Sequence, residues 1–236
     1  MEYIKPYNID LVFCIDASSS MQPFMDKVKS NALNIVRDVR RSFLEHGRFI
    51  GRLRVRCIVF RSYQDSVWDL KAPMMVTDFY SLPEQQEQFE RALFSITPTG
   101  GGELGDGLEA LALAIRSKWT ADIPGSSRLQ IVIVWSDKGT NKIGTGRTVN
   151  GYLLSMPRDF RELSQWWGMT RESPGAFINY DAKRLLIFAP EADWWTKITE
   201  NWPNVLHVPT VDGIGLKDRD YEEVIRLLTC TDICTF

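Results

Sequence analysis

Apolar positions along this chain fall into three patterns, each predicting a different kind of element. Continuous apolar runs predict strands buried on both faces: Ile9–Ile15 (IDLVFCI), Leu129–Trp135 (LQIVIVW) and Arg184–Ala189 (RLLIFA). Alternation predicts a half-buried strand at Arg52–Phe60 (RLRVRCIVF), which begins near solvent and turns wholly apolar. Helical spacing of Phe24, Val28, Leu33, Val36, Val39 and Phe43 predicts a helix from Gln22 to about Glu45, ended by Gly47. Further helices are expected at Glu84–Phe94, from Asp106 through Ile115, and at Asp159–Trp167, Glu191–Asn201 and Tyr221–Leu228. Shorter strand-like pieces are Val67–Leu70, Met74–Phe79 and Val205–Val208. Strands alternating with helices predict an α/β protein with a Rossmann-like, doubly wound, mostly parallel sheet.

The first run carries the candidate chemistry. It stops at Asp16, and Ser18 and Ser20 follow before the helix. Ligands of open α/β sheets bind at the carboxyl ends of the strands. One carboxylate and two hydroxyls at alternate positions are hard oxygen donors, suited to Mg²⁺, Mn²⁺ or Ca²⁺ and not to zinc or copper. The same letters also fit a plain helix N-cap, in which Asp and Ser side chains satisfy the first free N–H groups. The Leu129–Trp135 run also ends near an aspartate, Asp137.

Two glycine-rich stretches add to this. ITPTGGGELGDG lets the backbone approach a ligand closely, with Thr99 and Glu103 in reach of it. No Lys-Ser/Thr follows these glycines, so the phosphate-loop pattern is missing. KGTNKIGTGRTVNG, with Lys138, Lys142 and Arg147, opens a connection of about 45 residues before the next strand. That length predicts an insertion at about 138–183 within a single domain spanning 1–236. Trp166–Trp167 and Trp194–Trp195 are adjacent pairs, so each can bury one ring and turn the other outward.

Composition changes the picture mainly by exclusion. Basic and acidic residues number 28 and 30, which leaves no global attraction to nucleic acid or anionic lipid, so any basic patch is local. Arg52, Arg54 and Arg56 read as a solvated strand face before a nucleic-acid stripe. No apolar run is long enough to span a membrane, and the N-terminal residues carry no signal-peptide pattern. Four scattered cysteines (Cys14, Cys57, Cys230, Cys234) and two histidines lack zinc spacing, so reduced thiols in a cytoplasmic protein are expected.

Taken together, DASSSM after a buried strand, the glycine turn before a helix, and an aspartate after a later strand resemble a von Willebrand factor A-type domain with a metal-ion-dependent adhesion site. The resemblance runs over roughly residues 8–230. It implies metal ligation by Asp16, Ser18, Ser20 and Asp137. The third motif position, commonly threonine, is held by Glu103, with Thr99 an alternative if the loop folds back. GGGELGDG and the FRSYQD stretch (Phe60–Asp65) are similar to an acidic-turn subgroup. If Asp16, Glu103 and Asp137 are all ionised, three negative charges surround the cation, strengthening its binding and weakening its pull on a partner's carboxylate.

The expected function is therefore divalent-metal-dependent protein–protein interaction, as a scaffold or assembly module. Lys138, Trp166 and Trp167 are candidate partner contacts, and a partner's acidic side chain would complete the metal shell. Stand-alone members of this type, as the resemblance implies, often serve bacterial stress-response or defence systems. Metal-dependent phosphoester hydrolysis at the same site is the enzymatic alternative, with Lys138, Lys142 and Arg147 available to a phosphate. It lacks the DxD pair of aspartyl phosphatases, because position 18 is serine. A third reading makes the metal site vestigial and places recognition on the Trp-bearing stretch Gly139–Asp181.

Overall fold

The computed structural model describes residues 5–64, 72–100, 102–210, 224–226 and 228. Strand β1 (Tyr7–Asp16) is buried along nearly its whole length and forms the centre of the sheet. Parallel strands flank it: β2 (Ile50–Phe60) on one side, and on the other β5 (Ser127–Trp135), β6 (Lys183–Ala189) and β7 (Val205–Pro209). Outside β2, two three-residue strands, β3 (Met74–Val76) and β4 (Tyr80–Leu82), pair with it antiparallel. The sheet is thus mostly parallel and Rossmann-like. Met74–Phe79, read as one strand or ribbon, is divided between β3 and the link to β4, while Val67–Leu70 lies outside the described residues.

Side chains alternate between two cores. On one face Ile9, Leu11, Phe13 and Ile15 of β1 meet α1 (Met25–Glu45) and α2 (Gln86–Phe94), together with Val224, Ile225 and Leu228. These last three are part of the final expected helix, of which residues 224–226 and 228 are described. On the other face Val12 and Cys14 pack with α3 (Gly107–Ile115), α4 (Phe160–Trp167) and α5 (Asp193–Asn201). The long connection from β5 to β6 joins this second core, burying Ile143, Tyr152, Met156, Leu163 and Ile178. Among the described residues no helix is long and apolar enough to cross a membrane.

Three expectations need correction. α1 begins at Met25, and its N-cap Phe24 makes no side-chain capping bond, so the serines after Asp16 do not cap it. A 3₁₀ turn at Ser19–Met21 intervenes, capped at Ser18 without a side-chain bond. Of the β2 arginines only Arg52 is exposed as expected: Arg54 is bidentate to Asp10 at 2.7 and 2.8 Å and lies over the Phe79 ring, and half-buried Arg56 donates to Ser117 Oγ at 3.0 Å. Each tryptophan pair does bury one ring, Trp167 and Trp195, and leaves its neighbour half-buried. Trp167 is therefore a core residue and not a partner contact: its ring stacks on Trp202 and its Nε1 donates to Pro203 O at 2.9 Å. Cys14 and Cys57 are free and buried, while Cys230 and Cys234 lie outside the described residues.

Candidate functional site

The chain turns from β1 to β2 on one side and later returns to place β5 on the other. Adjacent parallel strands whose connections leave in opposite directions form a topological switch point, where the loops part and open a crevice. Asp16 stands at this point. Its register neighbour on β2 is Phe60, and Ile15 pairs with Trp135, so Ser136 and Asp137 emerge beside it.

Asp16 is fully buried. Its Oδ1 accepts the Ser18 backbone N–H at 2.9 Å, bending the chain sharply after the strand. Its Oδ2 accepts the Ser136 hydroxyl at 2.7 Å. Burial pushes the carboxyl above its usual value, an effect opposed by the bonds from Ser136 and Ser18 and by the charge of Lys138. The Ser18 and Ser20 hydroxyls lie 3.1 Å apart, the second exposed to solvent. Asp137 is half-buried, and its Oδ1 is shut off from solvent without a hydrogen-bond partner.

The glycine turn is held against this edge by its backbone. Ser19 N–H donates to Gly100 O at 2.9 Å, and Thr99 N–H to Ala17 O at 2.9 Å. The Lys138 ammonium donates to Gly102 O at 2.8 Å. Gly105 pairs with Thr140, and a Cβ at Gly105 would come within 3.2 Å of the Phe60 ring and 3.5 Å of Asp16 Oδ2, so a side chain there would press on the Phe60 ring and touch the carboxylate. Gly107 is stricter still, because a Cβ would overlap the Trp195 ring at 2.7 Å. Trp195 in turn donates its Nε1 to Lys138 O at 3.1 Å.

With the turn fixed in this way, Glu103 is exposed and the Thr99 hydroxyl accepts from Arg61 Nε at 3.1 Å. The expected trio of carboxylates from Asp16, Glu103 and Asp137 is not assembled. Among the described residues no three His, Cys, Asp or Glu side chains form a metal-holding group. What gathers instead is a hydroxyl-rich set: Asp16, Ser18 and Ser20 on β1 and its turn, with Ser136 and Asp137 beyond β5. Such donors fit a hard divalent cation, and the orphaned Asp137 oxygen is the observation that favours one. Of the residues read as phosphate contacts, Lys138 is bound to Gly102 O, and Arg147 donates to Pro157 O at 2.6 Å.

The sequence reading missed several participants. Ser136 carries no pattern of its own; its one signal is its place directly after the β5 run. A second polar cluster lies under the glycine turn. Asp106 accepts from Tyr63 N at 2.5 Å and Asn141 Nδ2 at 2.9 Å. Glu109, on α3 and fully buried, accepts from Gly144 N at 2.8 Å and the Tyr152 hydroxyl at 3.1 Å. Burial first, then the Asp106 charge, push Glu109 up to about 8. This cluster ties the long connection to α3.

Fold and edge together define a Rossmann-like α/β domain with a polar, hydroxyl-rich strand edge at its switch point. No family model matches the chain, and no curated protein does. Solved structures share its fold. The pilus adhesin SpaC from Lactobacillus rhamnosus GG is 15% identical with a TM-score of 0.50, over 97% of this chain and 32% of its own. Proximal thread matrix protein 1 from the mussel byssus is 15% identical with a TM-score of 0.52, over 95% of this chain and 47% of its own. The chain thus spans between about a third and a half of the structures it is similar to.

Proposed function

We propose that this chain binds a partner protein through a divalent cation held at the end of β1, as a cytoplasmic scaffold or assembly module. The residues that would hold the cation are Asp16, Ser18, Ser20 and Asp137, with Ser136 orienting Asp16. The chemistry a bound Mg²⁺ or Mn²⁺ supplies there is an open coordination position for a partner's Asp or Glu carboxylate. The reading is carried by Asp137: a buried carboxylate oxygen without a hydrogen bond is costly, and beside Ser136 and Asp16 a cation would satisfy it. Loss of Glu103 and Thr99 from the donor set leaves fewer negative charges around the cation. That favours coordination of an incoming carboxylate over tight resting binding. The free, buried Cys14 and Cys57 suit a reducing compartment.

The deciding measurement is thermal unfolding in chelator and in millimolar Mg²⁺ or Mn²⁺, for wild type, Asp137→Asn and Ser20→Ala. A cation at about 100 times its dissociation constant adds about 2.7 kcal/mol, which corresponds to roughly 5–10 °C for a domain of this size. Wild type is expected to gain several degrees and Asp137→Asn to gain little. An equal gain in all three proteins, or none in wild type, removes the metal from this site.

A further inference from the structure

Far from the switch point, a cleft of about 490 Å³ opens on the α3 side of β2, within the roughly 300–1,000 Å³ range of small-molecule sites. Its walls come from β2, the β3–β4 link, the end of α3 and the long connection. The charged groups that line it are Arg54, Arg56, Arg116 and Lys118 against the single carboxylate Asp78. In a chain whose charges nearly cancel overall, this four-to-one excess is a local concentration.

Arg54 is neutralised by its bidentate pair with Asp10, and the charge of Asp78 acts on Arg56 without forming an ion pair. Among the described residues neither Arg56 nor Arg116 has a carboxylate within ion-pair distance. Arg56 gives one nitrogen to Ser117 Oγ at 3.0 Å, while its Nε is buried without a partner. Arg116 donates to Ser155 O at 2.8 Å, and its guanidinium lies 5.2 Å from the centre of the Trp166 ring. Uncompensated cations converging on one cleft repel each other, and an anion seated there would relieve that repulsion. Guanidinium forks match phosphate oxygens, and half-buried Trp166 offers an aromatic wall for a planar ring.

We propose that this cleft binds a small organic phosphate carrying a planar ring, of the size of a nucleoside monophosphate. The phosphate faces Arg56, Arg116 and Lys118, and the ring lies against Trp166. Arg56, which the phosphate faces, pairs with Val12, four residues before Asp16 on β1, about 13 Å at 3.3 Å per residue. The cleft is therefore separate from the metal reading, and each stands or falls alone.

Titration calorimetry on the full chain in chelator, with AMP, GMP, CMP and UMP, ribose 5-phosphate, adenosine and inorganic phosphate, tests this. At least one nucleoside monophosphate is expected to bind ten times more tightly than ribose 5-phosphate, with adenosine silent. Lys118 is exposed and its side chain has no partner among the described residues, so Lys118→Glu should leave the melting temperature unchanged while weakening the nucleotide at least tenfold. Trp166→Leu should lower nucleotide affinity severalfold and leave inorganic phosphate unaffected. The proposal is overturned if no nucleotide gives heat, if ribose 5-phosphate equals the nucleotides, or if Lys118→Glu binds as wild type does.

Discussion

Asp10 and Asp16 are both buried aspartates of β1, and both point to the face shared with Val12 and Cys14, yet their surroundings differ in kind. Asp10 is closed. Its two oxygens take the Arg54 guanidinium, the Thr120 N–H at 2.6 Å and the Thr120 hydroxyl at 3.1 Å. Among the described residues Asp16 receives one amide and one hydroxyl and forms no ion pair. The charge of Lys138 acts on Asp16, but its ammonium points to a carbonyl of the glycine turn. A carboxylate with its own counter-ion stabilises the fold. One held by an amide and the Ser136 hydroxyl, with unsatisfied Asp137 next along the chain, is on the proposed reading open to a counter-ion from solution.

That contrast can be broken most directly at Asp10. Removing one partner of a buried ion pair costs about 3–5 kcal/mol, so Asp10→Ala should lower the urea midpoint sharply, with or without metal. A cost below about 1 kcal/mol would show that the pair contributes little and that the two aspartates are alike.

Glu109 sharpens the comparison as a third buried acid, raised like Asp16 by burial but with a second carboxylate, Asp106, adding to the rise. Its folded value, about 8, lies above the usual 4.5, so between those pH values the folded state holds more proton than the unfolded state. Its contribution to stability is therefore full below about pH 4.5 and is lost as pH rises through 8, by on the order of a few kcal/mol. Glutamine keeps an acceptor for Gly144 and Tyr152 and cannot ionise. Subtracting the wild-type pH profile from that of Glu109→Gln should reveal this loss, while other titrating groups, buried Lys183 among them, cancel. Parallel profiles would mean that Glu109 is not held protonated.

Smaller effects are expected at the Asp16 end. In Asp16→Asn the Ser136 hydroxyl, which also lies 3.1 Å from Lys138 O, can turn to donate there and accept from the new amide. Stability in chelator should then change by no more than about 1 kcal/mol, while the gain from Mg²⁺ or Mn²⁺ disappears. Ser20→Ala, at an exposed hydroxyl, should stay within about 0.5 kcal/mol of wild type in chelator and reduce the metal-dependent gain. A large loss in either variant without metal would make Asp16 a structural residue like Asp10.

The sheet's central strands were legible because burial on both faces demands unbroken apolar runs, as at β1, β5 and β6. Half of each tryptophan pair was legible for a similar reason: neighbouring residues on a helix cannot both face the core. The short strands β3 and β4 carry too few residues for any period to appear. Whether Asp16 capped α1 was open in sequence, since capping and ligand loops use the same side chains; the 3₁₀ turn decided it. The Arg54–Asp10 pair joins residues 44 apart, and Glu109 meets Tyr152 across 43, contacts that only the folded register creates. Glu103 filled a motif slot, but the Lys138–Gly102 bond orients that turn through its backbone, which no side-chain pattern encodes.

The register of the central strand also bears on how the protein is made. Every β1 residue paired to β5 meets a partner 120 positions further along, as Tyr7 does Ser127 and Ile15 does Trp135. At about 5–20 residues per second, a ribosome needs roughly 6–24 s to supply that second strand. Throughout that interval one edge of the most apolar strand in the nascent chain has no native neighbour, and the polar strand edge beside Asp16 does not yet exist. Newly made chains should accordingly depend on chaperones most while residues between β2 and β5 are being translated.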